Sequence, residues 1–264
     1  MEQAIFISRL DHLKYYHPGF SRLYFGNEFC ERLLPSVADL EAVLGFVREK
    51  GLDFTLVTPY VTNKGLKRLE PLLATVAKTK PGSELVFNDY GVLRVSRERY
   101  SELEPVMGRL LHRMKRGPRL MVVIDKLPPT TVEYFRSSNL TVPILSQFLN
   151  QNGVRRVEMD NVLQGFDFAI AGNVSLSLYL PFAYVSTTRF CLSASCDDPE
   201  KEELIGIFPC KQECQKYTFY LRNEIMPLPL IRKGNAIFFE NPVLPEGLAA
   251  KGVTRIVAQP EIPI

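Results

Sequence analysis

Short apolar runs alternate with amphipathic stretches, at about thirty residues per unit, through the first third of the chain. That alternation constrains the fold more than any single motif, because repeated βα units demand a parallel sheet with helices on its outside. Arg22-Leu23-Tyr24-Phe25-Gly26 reads as a strand ending at a glycine. Ser36 predicts a helix N-cap, with Leu40, Val43, Leu44 and Val47 at helical spacing and Gly51 as the stop. Phe54-Thr55-Leu56-Val57 is the next strand, and Gly65 to Lys78 the next helix, its stripe formed by Leu66, Leu69, Leu72, Leu73 and Val76. Glu84-Leu85-Val86-Phe87 is the third strand, ending at Asn88-Asp89-Tyr90-Gly91.

Further strands are expected at Val106 to Leu111, Leu120 to Ile124, Val154 to Met159, Val174 to Leu178, Tyr184 to Arg189, Thr218 to Leu221, Ala236 to Phe239 and Arg255 to Val257. Helices are expected at Pro143 to Asn150 and Pro245 to Ala250, and Gly165 to Ala171 is expected to recross the sheet. The fold class is therefore α/β: one domain over 1–264, a TIM-like (β/α) barrel, closed or partly degenerate, with a cysteine-rich loop region near its C-terminal third. The first twenty residues show no clear period and read as a lead-in. A doubly wound sheet ranks lower, since no glycine-rich fingerprint follows the first strand.

With 264 residues, 46% of them hydrophobic, the chain can bury a sizeable core. No apolar run approaches the ~18 residues that span a bilayer, so no membrane insertion is expected. Met1-Glu2-Gln3-Ala4-Ile5 lacks the pattern of a signal peptide, which predicts a cytoplasmic protein and reduced thiols. A net charge of +3 argues against a dominant nucleic-acid footprint. The basic segment Gly108 to Arg119 admits RNA as a partner, although a solvated helix face accounts for such a run more often.

Of five cysteines, Cys191, Cys196, Cys210 and Cys214 are separated by four, thirteen and three residues, and Cys30 stands alone far upstream. A single buried cysteine is usually a small apolar group. Cys210-Lys211-Gln212-Glu213-Cys214 fits that account poorly, because its intervening residues predict a solvated loop. Clustered thiols in a reducing compartment point to a thiolate metal site. The spacing lacks the paired knuckles common for zinc, which favours an iron–sulfur cluster modestly, with Cys191 and Cys196 both open as ligands.

In a barrel, sites gather at the carboxyl ends of the strands. Cys30, Cys191, Asn27-Glu28, Asn88-Asp89, Asp160-Asn161 and Arg109 all fall there on this reading, although Asn and Asp also serve as caps and turns. His12, His17 and His112 sit in no supporting pattern for a hydrolytic triad.

Gly26-Asn27-Glu28-Phe29-Cys30, Asn88-Asp89-Tyr90-Gly91, Gly108-Arg109-Leu110-Leu111, Val157-Glu158-Met159-Asp160-Asn161, Thr187-Thr188-Arg189-Phe190-Cys191 and Cys210-x-x-x-Cys214 occur in that order. Together they resemble the peptidase U32 (collagenase-like) family, from about Leu23 onward. The resemblance implies a (β/α)-barrel-like fold and a four-iron, four-sulfur cluster held by Cys30, Cys191, Cys210 and Cys214, within the segment 189–217 apart from Cys30. It further implies oxygen-independent hydroxylation of an aromatic ring or nucleobase, with prephenate as oxygen donor, alone or with a homologous partner subunit. The chain's length is closest to the ubiquinone-pathway members. Glu28, Asn88, Asp89, Arg109, Asp160, Asn161 and Arg189 are expected to line the substrate pocket, the two arginines pairing with the donor's carboxylates. Peptidase activity, and a non-catalytic scaffold stapled by a metal, are the alternatives.

Overall fold

A computed structural model describes residues 1–168, 170, 173–200 and 208–264. Eight parallel strands close a barrel: β1 (Glu2–Ile7), β2 (Arg22–Gly26), β3 (Asp53–Val57), β4 (Glu84–Phe87), β5 (Glu104–Met107), β6 (Arg156–Asp160), β7 (Ser175–Leu180) and β12 (Val253–Ala258). Between β7 and β12 the chain leaves the barrel and builds a four-stranded antiparallel sheet. Its strands, in spatial order, are β8 (Phe182–Thr187), β11 (Ala236–Glu240), β10 (Leu230–Lys233) and β9 (Phe219–Leu221).

The expected barrel stands, with several elements corrected. The segment read as a lead-in supplies β1, whose Ala4, Ile5, Phe6 and Ile7 are buried on both faces and so carry no alternating signal. Leu120 to Ile124 is not a strand but lies in two 3-10 turns, Pro118–Val122 and Ile124–Lys126, where Pro118 starts the first. Tyr184 to Arg189, Thr218 to Leu221 and Ala236 to Phe239 are strands of the added sheet rather than of the barrel. Pro245 to Ala250 forms turns leading to a 3-10 turn at Ala249–Lys251. Part of the recrossing expected at Gly165 to Ala171 lies outside the described residues, and its described part contains no strand.

Three α-helices stand where the sequence signals put them, and two more follow β4 and β5. α1 (Val37–Lys50) starts at a capping box, in which Asp39 N–H donates to Ser36 Oγ and Ser36 N–H to Asp39 Oδ2, and it ends at Gly51 in the left-handed region. Thr62 caps α2 (Asn63–Thr79) and Asp89 caps α3 (Tyr90–Arg99). α4 (Pro129–Arg136) and α5 (Pro143–Gln151) complete the set. Among the described residues no helix is long and apolar enough to cross a membrane.

Alternate residues of the strands fill the barrel: Ala4, Phe6, Tyr24, Val57, Val86, Val106, Tyr179 and Val257 form one interior cluster. Below it, at the strands' amino ends, lies an ionic layer. Arg255 donates to both oxygens of Glu84, at 2.6 and 2.9 Å, and to Glu2 at 2.6 Å; Arg22 donates to the other Glu2 oxygen at 2.7 Å. Tyr24 accepts from Arg255 and donates to the fully buried Glu158 at 3.1 Å. This network holds the first and last barrel strands to β2, β4 and β6, and breaking one partner would leave a charge buried unpaired.

Burial pushes the Glu158 carboxyl up to about 7, against the lowering pull of Arg255. A carboxyl raised in the folded state contributes stability that is present below its ordinary value and is lost as pH rises through the folded one. Urea unfolding of Glu158→Gln at pH 5 and pH 8 should therefore show a smaller loss on going to the higher pH, by on the order of 3 kcal/mol. Parallel losses in both proteins would contradict this.

Candidate functional site

At the opposite, carboxyl end of the barrel the backbone first has to make room. Gly26 has φ +137°, and a Cβ there would be driven into the Val57 carbonyl; a Cβ on Gly108 would collide with the Asn88 side chain. The chain can thus turn sharply after β2 and β5, and Glu28 and Arg109 swing over the barrel mouth. Arg109 is fully buried. Its Nε donates to Glu28 Oε2 at 2.9 Å, and its Nη1 donates to Asp160 Oδ1 at 2.8 Å and to the Phe182 carbonyl at 3.1 Å. The guanidinium lies 4.3 Å over the Tyr179 ring. Arg116 donates to the other Asp160 oxygen at 3.0 Å and to the Arg109 carbonyl at 2.7 Å. Burial raises the Glu28 carboxyl above its ordinary value, Arg109 countering and Asp160 adding to the rise.

This geometry corrects the role expected for Arg109. Two of the chain's own carboxylates occupy the guanidinium, so it clamps the mouth and is not open to a donor. Asn88 donates to the Thr58 carbonyl and accepts from Leu110 N–H, tying three loops. Asp89 caps α3 and accepts from Val61 N–H. Asn161 and Asn241 each donate to the other's carbonyl, at 3.1 and 3.0 Å. Glu28, Asn88, Asp89, Asp160 and Asn161 therefore gather at one rim, as the barrel rule requires, and build its framework. Arg189 differs, because it is exposed and faces a cavity.

Two residues beyond Glu28 stands Cys30. Asn27 Oδ1 accepts from Phe29 N–H and Cys30 N–H, and Phe29 is buried beneath the added sheet, packed edge-on against Phe238 at 5.1 Å. Phe29, Tyr184, Cys214, Ile231, Phe238 and Ile264 share one apolar cluster, which brings the β2 end to the cysteine-rich segment. Burial pushes the Cys30 thiol up to about 11, and Cys214, Cys210 and Cys191 add to the rise. Cys191 and Cys214 are likewise raised, first by burial and further by their cysteine neighbours. Four thiols from three segments thus influence one another. Asp197, with Cys196 adding to it, holds the Tyr217 hydroxyl above its ordinary value.

Two of the sulfurs accept hydrogen bonds: Cys210 from Gln212 N–H at 3.4 Å and Cys214 from Gln215 Nε2 at 3.7 Å. Such N–H groups favour the thiolate over the thiol, and sulfur acting as a metal ligand is a thiolate. Among the described residues no three His, Cys, Asp or Glu side chains stand at metal-holding spacing, so the thiols are neighbours without a closed cage. Thiols are the donors that a sulfur-ligated metal or cluster takes.

The sequence reading missed Glu213. Rather than sitting in a solvated loop, it is buried and accepts Ser195 N–H at 2.7 Å and Lys211 N–H at 3.0 Å, lashing the Cys191 turn to the Cys210 loop. Burial pushes its carboxyl up, but backbone N–H groups of Glu213, Ser195 and Lys211 outweigh it and hold the carboxyl low. The flanking Lys and Gln concealed this role, since only tertiary contact turns the acid inward.

Beside Cys30 lies a cavity of about 200 Å³, walled by Tyr60, Thr62, Arg189 and Asn235 among others. Asn235 Nδ2 donates to the Phe29 and Thr188 carbonyls and to Tyr60 Oη, while its buried Oδ1 has no hydrogen-bond partner. Arg189 sits 5.5 Å over the Tyr60 ring. The cavity thus offers a cation, a buried acceptor and a thiol. His12 meets Tyr15 edge-on and His17 packs at a tilt against Phe20, and His112 is fully buried, its Nε2 2.9 Å from the Glu158 carbonyl and its basicity reduced to about 3 by burial and by Arg116.

No family model matches the chain, and no curated protein matches it in sequence. Among solved structures, the U32 peptidase Mk0906 is similar over 100% of this chain and 94% of that one, at 11% identity and a TM-score of 0.47. YKL-39, solved in the presence of chitooligosaccharides, overlaps 98% of this chain and 92% of that one, at 7% identity and a TM-score of 0.30.

Proposed function

We propose that this chain is an iron–sulfur protein in which Cys30, Cys191, Cys210 and Cys214 hold a four-iron, four-sulfur cluster beside a small anion-accepting pocket. The observation that carries the reading is the convergence of the cysteine-bearing segments: Glu213 accepts from both the Cys191 turn and the Cys210 loop, Gln212 Nε2 donates to the Arg32 carbonyl at 3.1 Å, and Cys214 shares an apolar cluster with Phe29. Hydrogen bonds to sulfur and partial burial are the features by which proteins tune such clusters. Bound there, the cluster would supply redox or Lewis-acid chemistry at the wall of the Cys30 cavity.

The pocket's own residues define what enters. Arg189 pairs with a carboxylate of a small donor, and Asn235 Oδ1 accepts from a hydroxyl. With the motif resemblance, this supports oxygen-independent hydroxylation of an aromatic or nucleobase acceptor using a prephenate-like donor, alone or beside a homologous subunit. A peptidase reading gains no support from the three histidines, each engaged elsewhere. The clamp of Glu28, Arg109 and Asp160 orients Cys30 and does not touch substrate.

Anaerobic purification followed by iron, sulfide and zinc analysis should give about four irons and four sulfides per chain. Cys30→Ser, Cys191→Ser, Cys210→Ser and Cys214→Ser should each lose most of the iron, whereas Cys196→Ser should keep it. A colourless protein with one zinc would overturn the cluster and leave a metal-stapled scaffold. Glu213→Ala should lower iron content and expose 191–214 to protease while the barrel's circular dichroism is retained; unchanged iron and cleavage would remove Glu213 from the account. Arg189→Ala should weaken prephenate binding by roughly tenfold or more, as loss of one charged hydrogen-bonding partner implies, and unaltered binding would reject the pocket.

A further inference from the structure

The barrel wall is weakest far from the cysteines. β5 and β6 share a single register pair, Met107 with Val157, where neighbouring strand pairs share three to five. β5 contains Pro105, which has no N–H to give a ladder. Below that one pair the strands part, and a cleft of about 520 Å³ opens at their amino ends, between the C-terminal end of α3 and the turn joining α5 to β6. This lies within the range of small-molecule pockets.

Two arginines line it. Arg97, in the last turn of α3, reaches over so that its Nη1 is 4.0 Å from where a Cβ on Gly153 would lie, and Arg155 follows Gly153 by two residues. Both are exposed, and among the described residues neither guanidinium has an ion pair or hydrogen bond, unlike Arg156 beside them, which is spent on Glu84, Ser177 and Thr254. Ser101, Asn173 and Ser175 add neutral hydrogen-bonding groups to the lining, and Glu104 contributes the one acid without an ion-pair partner. Two guanidinium groups without a carboxylate partner on one cleft favour an anion, and a doubly charged tetrahedral one can accept from both.

The geometry points to a second ligand site at the foot of the barrel, between Arg97 and Arg155, that takes the phosphate group of a small phosphorylated metabolite. It is independent of the cysteine pole and of the function proposed there. The cleft exceeds a bare phosphate in size, so the ester's organic part occupies the remainder, against Leu103, Pro105 and Val106.

Isothermal titration calorimetry on the full chain, with inorganic phosphate and with glucose 6-phosphate as probes, tests this. Saturable one-to-one binding is expected, tighter for the sugar phosphate, weakened roughly tenfold by Arg97→Ala or Arg155→Ala and weakened by added salt. Glu104→Gln should tighten binding, a gain that no misfolded variant can mimic. Equal affinity for both probes would assign the site to the free anion and overturn the metabolite. No saturable heat with either probe, or unchanged binding in the double arginine variant, would overturn the site altogether.

Discussion

The buried guanidinium of Arg109 is the interaction on which the upper half of this molecule depends. It joins Glu28 past β2 to Asp160 at the end of β6 and to the Phe182 carbonyl, where the added sheet begins. Removing a charged group so enclosed would strand two carboxylates in an apolar setting, a cost that ordinary surface pairs do not carry. Because Cys30 is two residues from Glu28, and because Phe29 between them is buried under the added sheet, the clamp also fixes where the first thiol can stand. An ion pair inside the barrel thus holds Glu28, and an aromatic contact outside it holds the adjoining Phe29.

The molecule is accordingly divided by function along the barrel axis. Its amino end is sealed by Arg255, Glu84, Glu2 and Arg22, and its middle by alternating aromatic and aliphatic residues. The carboxyl end carries the clamp, the Cys30 cavity and the thiols. Interrupting the barrel between β7 and β12 with an antiparallel sheet is what brings Cys191, Cys210 and Cys214 back over β2, a return that a short βα loop could not span.

Much of the lower-level structure was legible in the sequence. Ser36, Thr58-Pro59 and Gly51 mark real boundaries because capping and turn chemistry act within a few residues. The barrel itself was legible from the alternation of strand and helix, and the rim placement of Glu28, Asn88, Arg109 and Asp160 from their position after strands. What sequence pattern could not separate was a residue that binds from one that braces: Arg109 reads as an anion receptor until the carboxylates that fill its fork are placed beside it. Glu213 was hidden for the same reason, as was β1, whose continuous burial removes the period by which strands are recognised. Leu120 to Ile124 shows the reverse error, where a β-prone run is curled into 3-10 turns after Pro118.

We propose that four thiolates, drawn together by the clamp and by Glu213, share an inorganic iron–sulfur core. Anomalous diffraction at the iron absorption edge, from crystals grown without oxygen, tests it most directly. The account predicts iron peaks enclosed by the sulfurs of Cys30, Cys191, Cys210 and Cys214, with Cys196 outside. Anomalous signal at the zinc edge alone, or iron bound to Cys196 in place of Cys191, would contradict it.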